Sequence, residues 1–314
     1  MPDAAMLVTH NPSASVVTLT GRTMGTGWSV RCALPTEVDP AAIRRAIDTR
    51  LDELVGQMSH WDGTSTLCRF NASPAGAIVE LPDDLAAVID LSLRIAHASG
   101  GAFDPAIGHL VDLWGFGPPG PQPSPGEAAI AAARAGSGWA RLRWDAAGRR
   151  LRQPGGLALD LSGVAKGHAV DAVADCLADH GIFHCLVEIG GELVGRGLRP
   201  DGDPWWVDLE DPPGIALPPI RVALHQCAVA TSGDYRRGRH SIDPRSGHPA
   251  ANGVAAVSVI AATAALADAL ATAITIAWPG DRLIAAMRIA ARIVVRDGND
   301  LREILTPAFA AMLA

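Results

Sequence analysis

The sequence predicts an α+β fold, with mixed or antiparallel sheets flanked by helices. Three observations point there: runs of period-two alternation are short and numerous, helical periodicity returns only at intervals, and the two never settle into a regular strand–helix–strand beat. The 314 residues suit one large domain or two intimate subdomains, and a hydrophobic content of 48% is enough for a substantial core.

Residues 16–32 alternate and are rich in β-formers, so they read as paired strands around "RTMGTGWSV". Residues 41–55 form an amphipathic helix opened by Pro40. "GQMSHWDGTSTLCRFNAS" reads as a loop. A short strand at 77–81 precedes a helix at 83–97, which Gly100 and Gly101 stop. "AFDPAIGHLVDLWGFGP" mixes polar and apolar residues and is expected to wrap a cleft, and "GPPGPQPSPGE" is an exposed Pro/Gly loop. Strands are expected around 139–153 and at 157–161, then a helix over 164–180. Short strands follow at 184–189, 192–199 and 205–210, with a loop at "DPPGIALPP". Further strands are expected near 220–224, 228–231 and 253–261. An almost wholly apolar helix spans 263–278, a second helix 281–291, and a strand at 292–296 closes the core.

The charge is −7 and no basic run exceeds a few residues, which speaks against a nucleic-acid partner. No window approaches ~18 uninterrupted apolar residues, so no stable membrane insertion is expected. The first twenty residues lack a basic segment followed by an apolar one; with no signal peptide read, the expected location is the cytoplasm. Cys32, Cys68, Cys176, Cys185 and Cys227 are scattered, odd in number and without a CxxC pair. They read as reduced, mostly buried thiols rather than a disulfide framework or a zinc site.

Four segments carry candidate chemistry. In "LDLSGVAKGHAVD", residues 159–171, a strand-like run meets Asp160, a turn of small residues and then Lys166 at a helix start. Free amides at such a start suit phosphate oxygens, Lys166 adds a charge, and Gly163 and Gly167 let a ligand approach the backbone. Taken alone, the segment reads equally as a structural turn. In "TAALADALATAITIAW" the one ionisable group is Asp268, with Thr272 four residues on and on the same face. A buried carboxylate needs a partner, either a hard cation or an arginine elsewhere in the core. "ATSGDYRRGRHSIDPRSGHP" is a polar, loop-rich hairpin holding the single tyrosine, Tyr235, and His240, which is either a proton acceptor or an ordinary surface histidine. In "MSHWDGTSTLCRFNAS", Trp61 is either a stacking face for a planar ligand or a core residue, and "GGAFDP" supplies Asp104, a loop acid with an available carboxylate.

In this order, "RTMGTGWSV", "MSHWDGTSTLCRFN", "GGAFDPAIGHLVDLWGFGP", "LDLSGVAKGHAVD", "LVEIGGELVGRG", "PWWVDLEDP", "ATSGDYR", "HSIDPRSGHP" and "SVIAATAALADALATA" resemble the FAD:protein FMN transferase family. The resemblance implies a T-fold-like flavin transferase domain over residues 16–306, built from two interlocked subdomains with an FAD cleft between them, behind an N-terminal extension at 1–15. It implies Mg²⁺-dependent cleavage of the FAD pyrophosphate and transfer of FMN to a Thr or Ser hydroxyl of an acceptor protein, with release of AMP. It further implies that Met24 and Trp61 contact the flavin, and that Ala102, Phe103 and Asp104 line the nucleotide site, Asp104 accepting hydrogen bonds from FAD. Asp160, Lys166 and Ile242 would also contact FAD. The metal would sit on the carbonyls of Gly163 and Ala271 with the side chains of Asp268 and Thr272, and His240 would take the acceptor's proton. Two positions depart from the family pattern: Trp61 stands where many relatives have tyrosine, and Glu192 where aspartate is common. The same residues would serve an FAD pyrophosphatase, in which water replaces the acceptor, and an FAD carrier without chemistry is a third reading.

The two readings of Asp268 separate on one substitution. As a metal ligand, Asp268→Asn abolishes turnover and leaves urea unfolding nearly unchanged. As half of a buried ion pair, the same change costs about 3–5 kcal/mol of stability and leaves metal dependence as it was.

Overall fold

The alternation that opens the chain folds as a hairpin, β1 (Ser15–Thr23) and β2 (Thr26–Leu34), turned at Met24 and Gly25, whose φ angles are 48° and 72°. A two-residue turn with both central residues at positive φ joins two strands closely and matches their right-handed twist. In the computed structural model, which describes residues 8–213, 217–235, 238–279, 281–298 and 300–313, the next elements are α1 (Pro40–Met58), α2 (Thr66–Asn71), β3 (Ile78–Glu80), α3 (Asp83–Ala98), α4 (Gly108–Leu113) and α5 (Glu127–Gly136). Then come β4 (Arg143–Asp145), β5 (Arg150–Arg152), α6 (Ala165–Asp179), β6 (Cys185–Ile189), β7 (Glu192–Arg196), β8 (Trp205–Asp208), β9 (Arg221–Leu224) and β10 (Cys227–Gly233). The chain ends with β11 (Ile242–Asp243), β12 (His248–Pro249), β13 (Val254–Ala261), α7 (Ala264–Ala277), α8 (Asp281–Met287), β14 (Ala290–Asp297), β15 (Asp300–Leu305) and α9 (Pro307–Ala310). The expected extension at 1–15 and the "DPPGIALPP" loop lie partly outside the described residues.

The fold is α+β. Eight strands form one sheet in the order β1-β2-β6-β7-β10-β13-β14-β15, every neighbouring pair antiparallel. Alternate side chains sort to its two faces. Along β6, Cys185, Val187 and Ile189 enter the large core with helices α1, α6 and α7, while Leu186 packs with Trp205, Leu224 and Phe309 from the β8–β9 ribbon and α9. β10 repeats the division, with Ala228 and Ala230 on the helical side and Val229 on the other. A sheet covered on both faces needs buried residues at successive positions, and β13 and β14 are mostly apolar runs, broken inside by Ser258 and by Arg292, whose guanidinium pairs with Asp211 and Glu303. Among the described residues no helix is long and apolar enough to cross a membrane.

Several elements depart from their sequence signals. The expected loop after α1 contains α2, a single turn and a half started by Ser65, whose Oγ accepts the Cys68 N–H at 3.0 Å; Leu67 and Phe70 anchor it in the core. Helix α5 arises in an alanine-rich stretch with no strong apolar stripe and buries only Ile130. Helix α8 ends at Met287 rather than 291, because Arg288 turns the chain at a φ of 50° into β14, and β15 adds an edge strand that the alternation of "DLREIL" had not drawn out.

The most informative departure is at 157–161. These residues are buried and strand-like in composition, yet no strand pairs with them. Side chains take the place of a ladder. Asn71 accepts from the Leu159 N–H at 2.8 Å and donates to its carbonyl at 3.0 Å, and Gln153 donates to the Leu157 carbonyl at 3.1 Å and accepts its N–H at 3.2 Å. The Asp160 N–H donates to the Pro105 carbonyl at 2.9 Å. This run, satisfied by hand rather than by a sheet, delivers the chain to the start of α6.

Asn71→Ala removes both partners of the buried Leu159 backbone, and is expected to lower stability by about 2–4 kcal/mol. A fall in the urea midpoint with unchanged slope reads this directly; an unaltered midpoint would mean that Asn71 is not the mount for this segment.

Candidate active site

The centre of the molecule is the crossing of α6 and α7. A Cβ on Gly167 would lie 2.3 Å from the Ala264 carbonyl oxygen, so only glycine lets the two helix starts meet. At that distance the Gly167 N–H donates to Asp268 Oδ2 at 3.1 Å. In return both Asp171 oxygens accept from α7, from the Ala264 and Ala265 N–H groups at 2.9 Å each. Each helix thus lends a carboxylate to the N-terminal amides of the other.

The turn before α6 is shaped by Asp160, whose Oδ1 accepts from the Ser162 N–H at 2.9 Å and from the Ser162 hydroxyl. Its other oxygen lies 3.5 Å from His60 Nδ1. Gly163 presses on α7: a Cβ there would meet Thr272 Oγ1 at 3.0 Å. Gly163, Asp268 and Thr272 are therefore neighbours, as expected. No arginine among the described residues pairs with Asp268; the nearby cation is Lys166, and burial raises the Asp268 carboxyl against the pull of that lysine and of the Gly167 amide.

Lys166 reaches across to β7, where its Nζ contacts Glu192 Oε1. Glu192 is 2% exposed, and its Oε2 is buried without a hydrogen-bond partner. Burial pushes its carboxyl up to about 7, with Lys166 opposing and the Asp268 charge adding to the rise. Two buried acids thus share one lysine at the mouth of α6, an excess of negative charge that suits a cation. No group of three His, Cys, Asp or Glu side chains among the described residues is placed to hold a metal. The donor set here is instead one carboxylate, one hydroxyl and nearby carbonyls, which fits a hard ion that completes its shell with water or phosphate.

These residues floor a cleft of about 430 Å³. Of the residues singled out from the sequence, Trp61, Ala102, Phe103, Asp104, Asp160, Gly163, Lys166, His240, Ile242, Asp268 and Thr272 line it. Met24 and Ala271 do not. Met24 packs against the large core at the β1–β2 turn, two residues from Thr26, which does line the cleft. Ala271 is fully buried, and its carbonyl accepts the Thr275 hydroxyl at 2.8 Å.

Trp61 is 63% exposed at the cleft margin with its ring 5.5 Å from that of His60, a free aromatic face rather than a core residue. His240 also lines the cleft, its ring 6.3 Å from Phe116. Its Nδ1 lies 3.0 Å from the Gly238 carbonyl, which can only accept. A carbonyl partner suits the tautomer that carries the proton on Nδ1. Ile242 is buried with Leu110 and Val111 beneath this wall. Asp104 is held in place by two backbone amides, Oδ1 accepting from the Ala106 N–H at 2.7 Å and Oδ2 from the Trp139 N–H at 3.0 Å, which leaves accepting capacity on each oxygen.

With this geometry in view, the likeness to known proteins is specific. Residues 24–293 match the model of the ApbE family. The FAD:protein FMN transferase of Klebsiella pneumoniae is 33% identical over 96% of this chain and 91% of its own length. The chain belongs to the ApbE family. The flavin transferase ApbE of Vibrio cholerae superposes with a TM-score of 0.88 at 33% identity, covering 95% of this chain and 99% of that one. The apo form of the ApbE flavinyl transferase from Pseudomonas stutzeri gives the same TM-score at 36% identity over 95% and 96% of the two chains.

This ApbE chain also brings to the cleft residues that carried no weight in the sequence. His60 touches Asp160, and Gly190 and Gly191 form the β6–β7 turn beside Glu192. His60 precedes Trp61 in a polar loop and nothing local marks it; the glycine pair, with φ of 65° and 107°, could have been flagged as a backbone turn near a ligand.

Burial raises the Asp104 carboxyl to about 6 despite its two amide partners. A folded-state value above the unfolded one means the folded protein holds this proton longer, so the contribution is present below about pH 4 and is lost as pH rises through 6. Asp104→Asn removes that loss. The unfolding free energy of the variant relative to the parent is expected to improve by about 2–3 kcal/mol between pH 4 and pH 7. An equal difference at both pH values would show that burial does not raise this group.

Proposed function

We propose that the protein transfers FMN from FAD to a threonine or serine hydroxyl of an acceptor protein, releasing AMP, with Mg²⁺ bound at the floor of the cleft. One observation carries the reading: the start of α6, with its glycines and Lys166, faces Asp268 and Thr272 of α7 across a cleft whose lining includes an exposed tryptophan and a histidine. The names of the relatives and of the superposing structures support it.

Asp268, Thr272 and the Gly163 carbonyl would hold the Mg²⁺; when bound, the ion neutralises pyrophosphate charge as the phosphorus is attacked. Lys166 and the turn amides orient the phosphates from the other side. Trp61 offers its face to the isoalloxazine ring. His240 Nε2 takes the proton of the acceptor hydroxyl as its oxygen bonds to the FMN phosphorus, and the bond from that phosphorus to the bridging oxygen breaks, leaving the oxygen on AMP. The acceptor is recognised by a short Thr- or Ser-containing motif.

Incubation with FAD, Mg²⁺ and an acceptor bearing such a motif tests the proposal. A covalent flavin adduct and an equal amount of AMP are expected. His240→Gln should slow adduct formation by about 100-fold or more while FAD affinity stays within about threefold. AMP release that is indifferent to a verified acceptor, with no adduct, would replace transfer by hydrolysis. FAD retained without AMP would leave a carrier.

A further inference from the structure

Cys32 on β2 and Cys185 on β6 stand opposite one another in the sheet. The neighbouring Ala33 N–H donates to the His184 carbonyl at 3.0 Å, which makes 33 and 184 the hydrogen-bonded pair and 32 and 185 the non-hydrogen-bonded one. Side chains come closest at such positions, with Cα atoms about 4.5 Å apart, inside the range of about 4.4–6.8 Å that a disulfide spans. Both thiols point to the helical side, share the large core with Val30 and Val187, and have no exposure. The remaining cysteines have no such partner: Cys68 and Cys176 lie on helices, and Cys227 of β10 stands opposite Gly195.

We propose that Cys32 and Cys185 are the site of a buried cross-strand disulfide, closed when the chain folds in the presence of a small-molecule disulfide such as oxidised glutathione. One cysteine thiolate attacks a glutathione sulfur, forming a mixed disulfide and releasing one glutathione thiolate. The second cysteine loses its proton to water, its thiolate attacks the sulfur of the first cysteine, and the second glutathione leaves. Two thiols are oxidised and one glutathione disulfide is reduced to two glutathiones.

Closure belongs to folding, or to opening of the sheet edge, rather than to the closed native state. Burial pushes Cys32 up to about 11 and Cys185 up to about 12, so the native pair holds almost no thiolate. In a reducing compartment the pair stays as two thiols. The bond would fasten the β1–β2 edge, which among the described residues joins the rest of the sheet only through β6. That edge carries the turn bearing Met24 and Thr26, so the staple acts on the hairpin that borders the cleft.

The test uses the unaltered chain and so depends on no variant folding. It is refolded from urea in a buffer of oxidised and reduced glutathione, alkylated, digested and mapped by mass spectrometry. The expected result is a peptide pair joined through Cys32 and Cys185, two hydrogens lighter than the sum of its parts. The melting temperature should exceed that of the reduced protein by about 5 °C, since the bond closes a long loop, and dithiothreitol should abolish the gain. Recovery of Cys32 and Cys185 as separate alkylated or glutathionylated peptides overturns the proposal. So does a cross-link to Cys68, Cys176 or Cys227, or a joined pair that does not melt higher.

Discussion

The site depends on the contact of two helix starts, made possible by the missing side chain of Gly167. Where a Cβ would collide with the Ala264 carbonyl, the backbones instead approach until Asp268 reaches the Gly167 amide of α6 and Asp171 reaches the first two amides of α7. Each carboxylate caps a foreign helix, and each helix dipole favours the charge it receives. Any larger residue at 167 would separate the helices and, with them, the turn at Ser162–Gly163 from Thr272. The local backbone, the crossing and the chemistry of the floor are consequences of one close approach.

That arrangement accepts an electrostatic cost. Asp268 and Glu192 are withdrawn from water, both are raised by burial, and one lysine serves the two. Left so, the floor is a poor place for two carboxylates and a good one for a cation beside phosphates. In the proposed reaction an acidic protein would bind an acidic dinucleotide through these groups, which act within a few ångströms, inside the Debye length of about 8–10 Å, while the distant surface charge is screened. The scaffold supporting them is rigid: α7 lies in the core with β10 and β13 beneath it, and alanines along these elements let it lie close.

Much of the fold was legible because it rests on local periodicity. The hairpin at the start, α1, α3, α6 and α7 each carry their own pattern and stop signals. What escaped has a long-range cause. The run at 157–161 has a strand's composition, but its hydrogen bonds are made by Asn71 and Gln153, residues that no window around 159 contains. Helix α2 is held by one serine cap and two apolar anchors, too little signal to stand against the polar loop around it. At the site, Asp268 was conspicuous because an acid in an apolar helix demands a partner. His60 was not, since only the fold sets it beside Asp160. Asp104 reads from sequence as a loop acid, and only the fold brings the amide of Trp139, distant in sequence, to one of its oxygens.

From the sequence by itself came the α+β class, the helix bearing one acid, the glycine-bounded lysine turn and the set of segments that mark the family. These are properties of short windows, governed by backbone preference and by the cost of burying charge. The tertiary structure alone decided which carboxylates share Lys166, that Trp61 stays in solvent at the rim, that Met24 and Ala271 stand back from the cleft, and that two distant cysteines face each other across a ladder. Those outcomes depend on strand register and helix crossing, which arise from packing over the whole chain and leave no trace in any one segment.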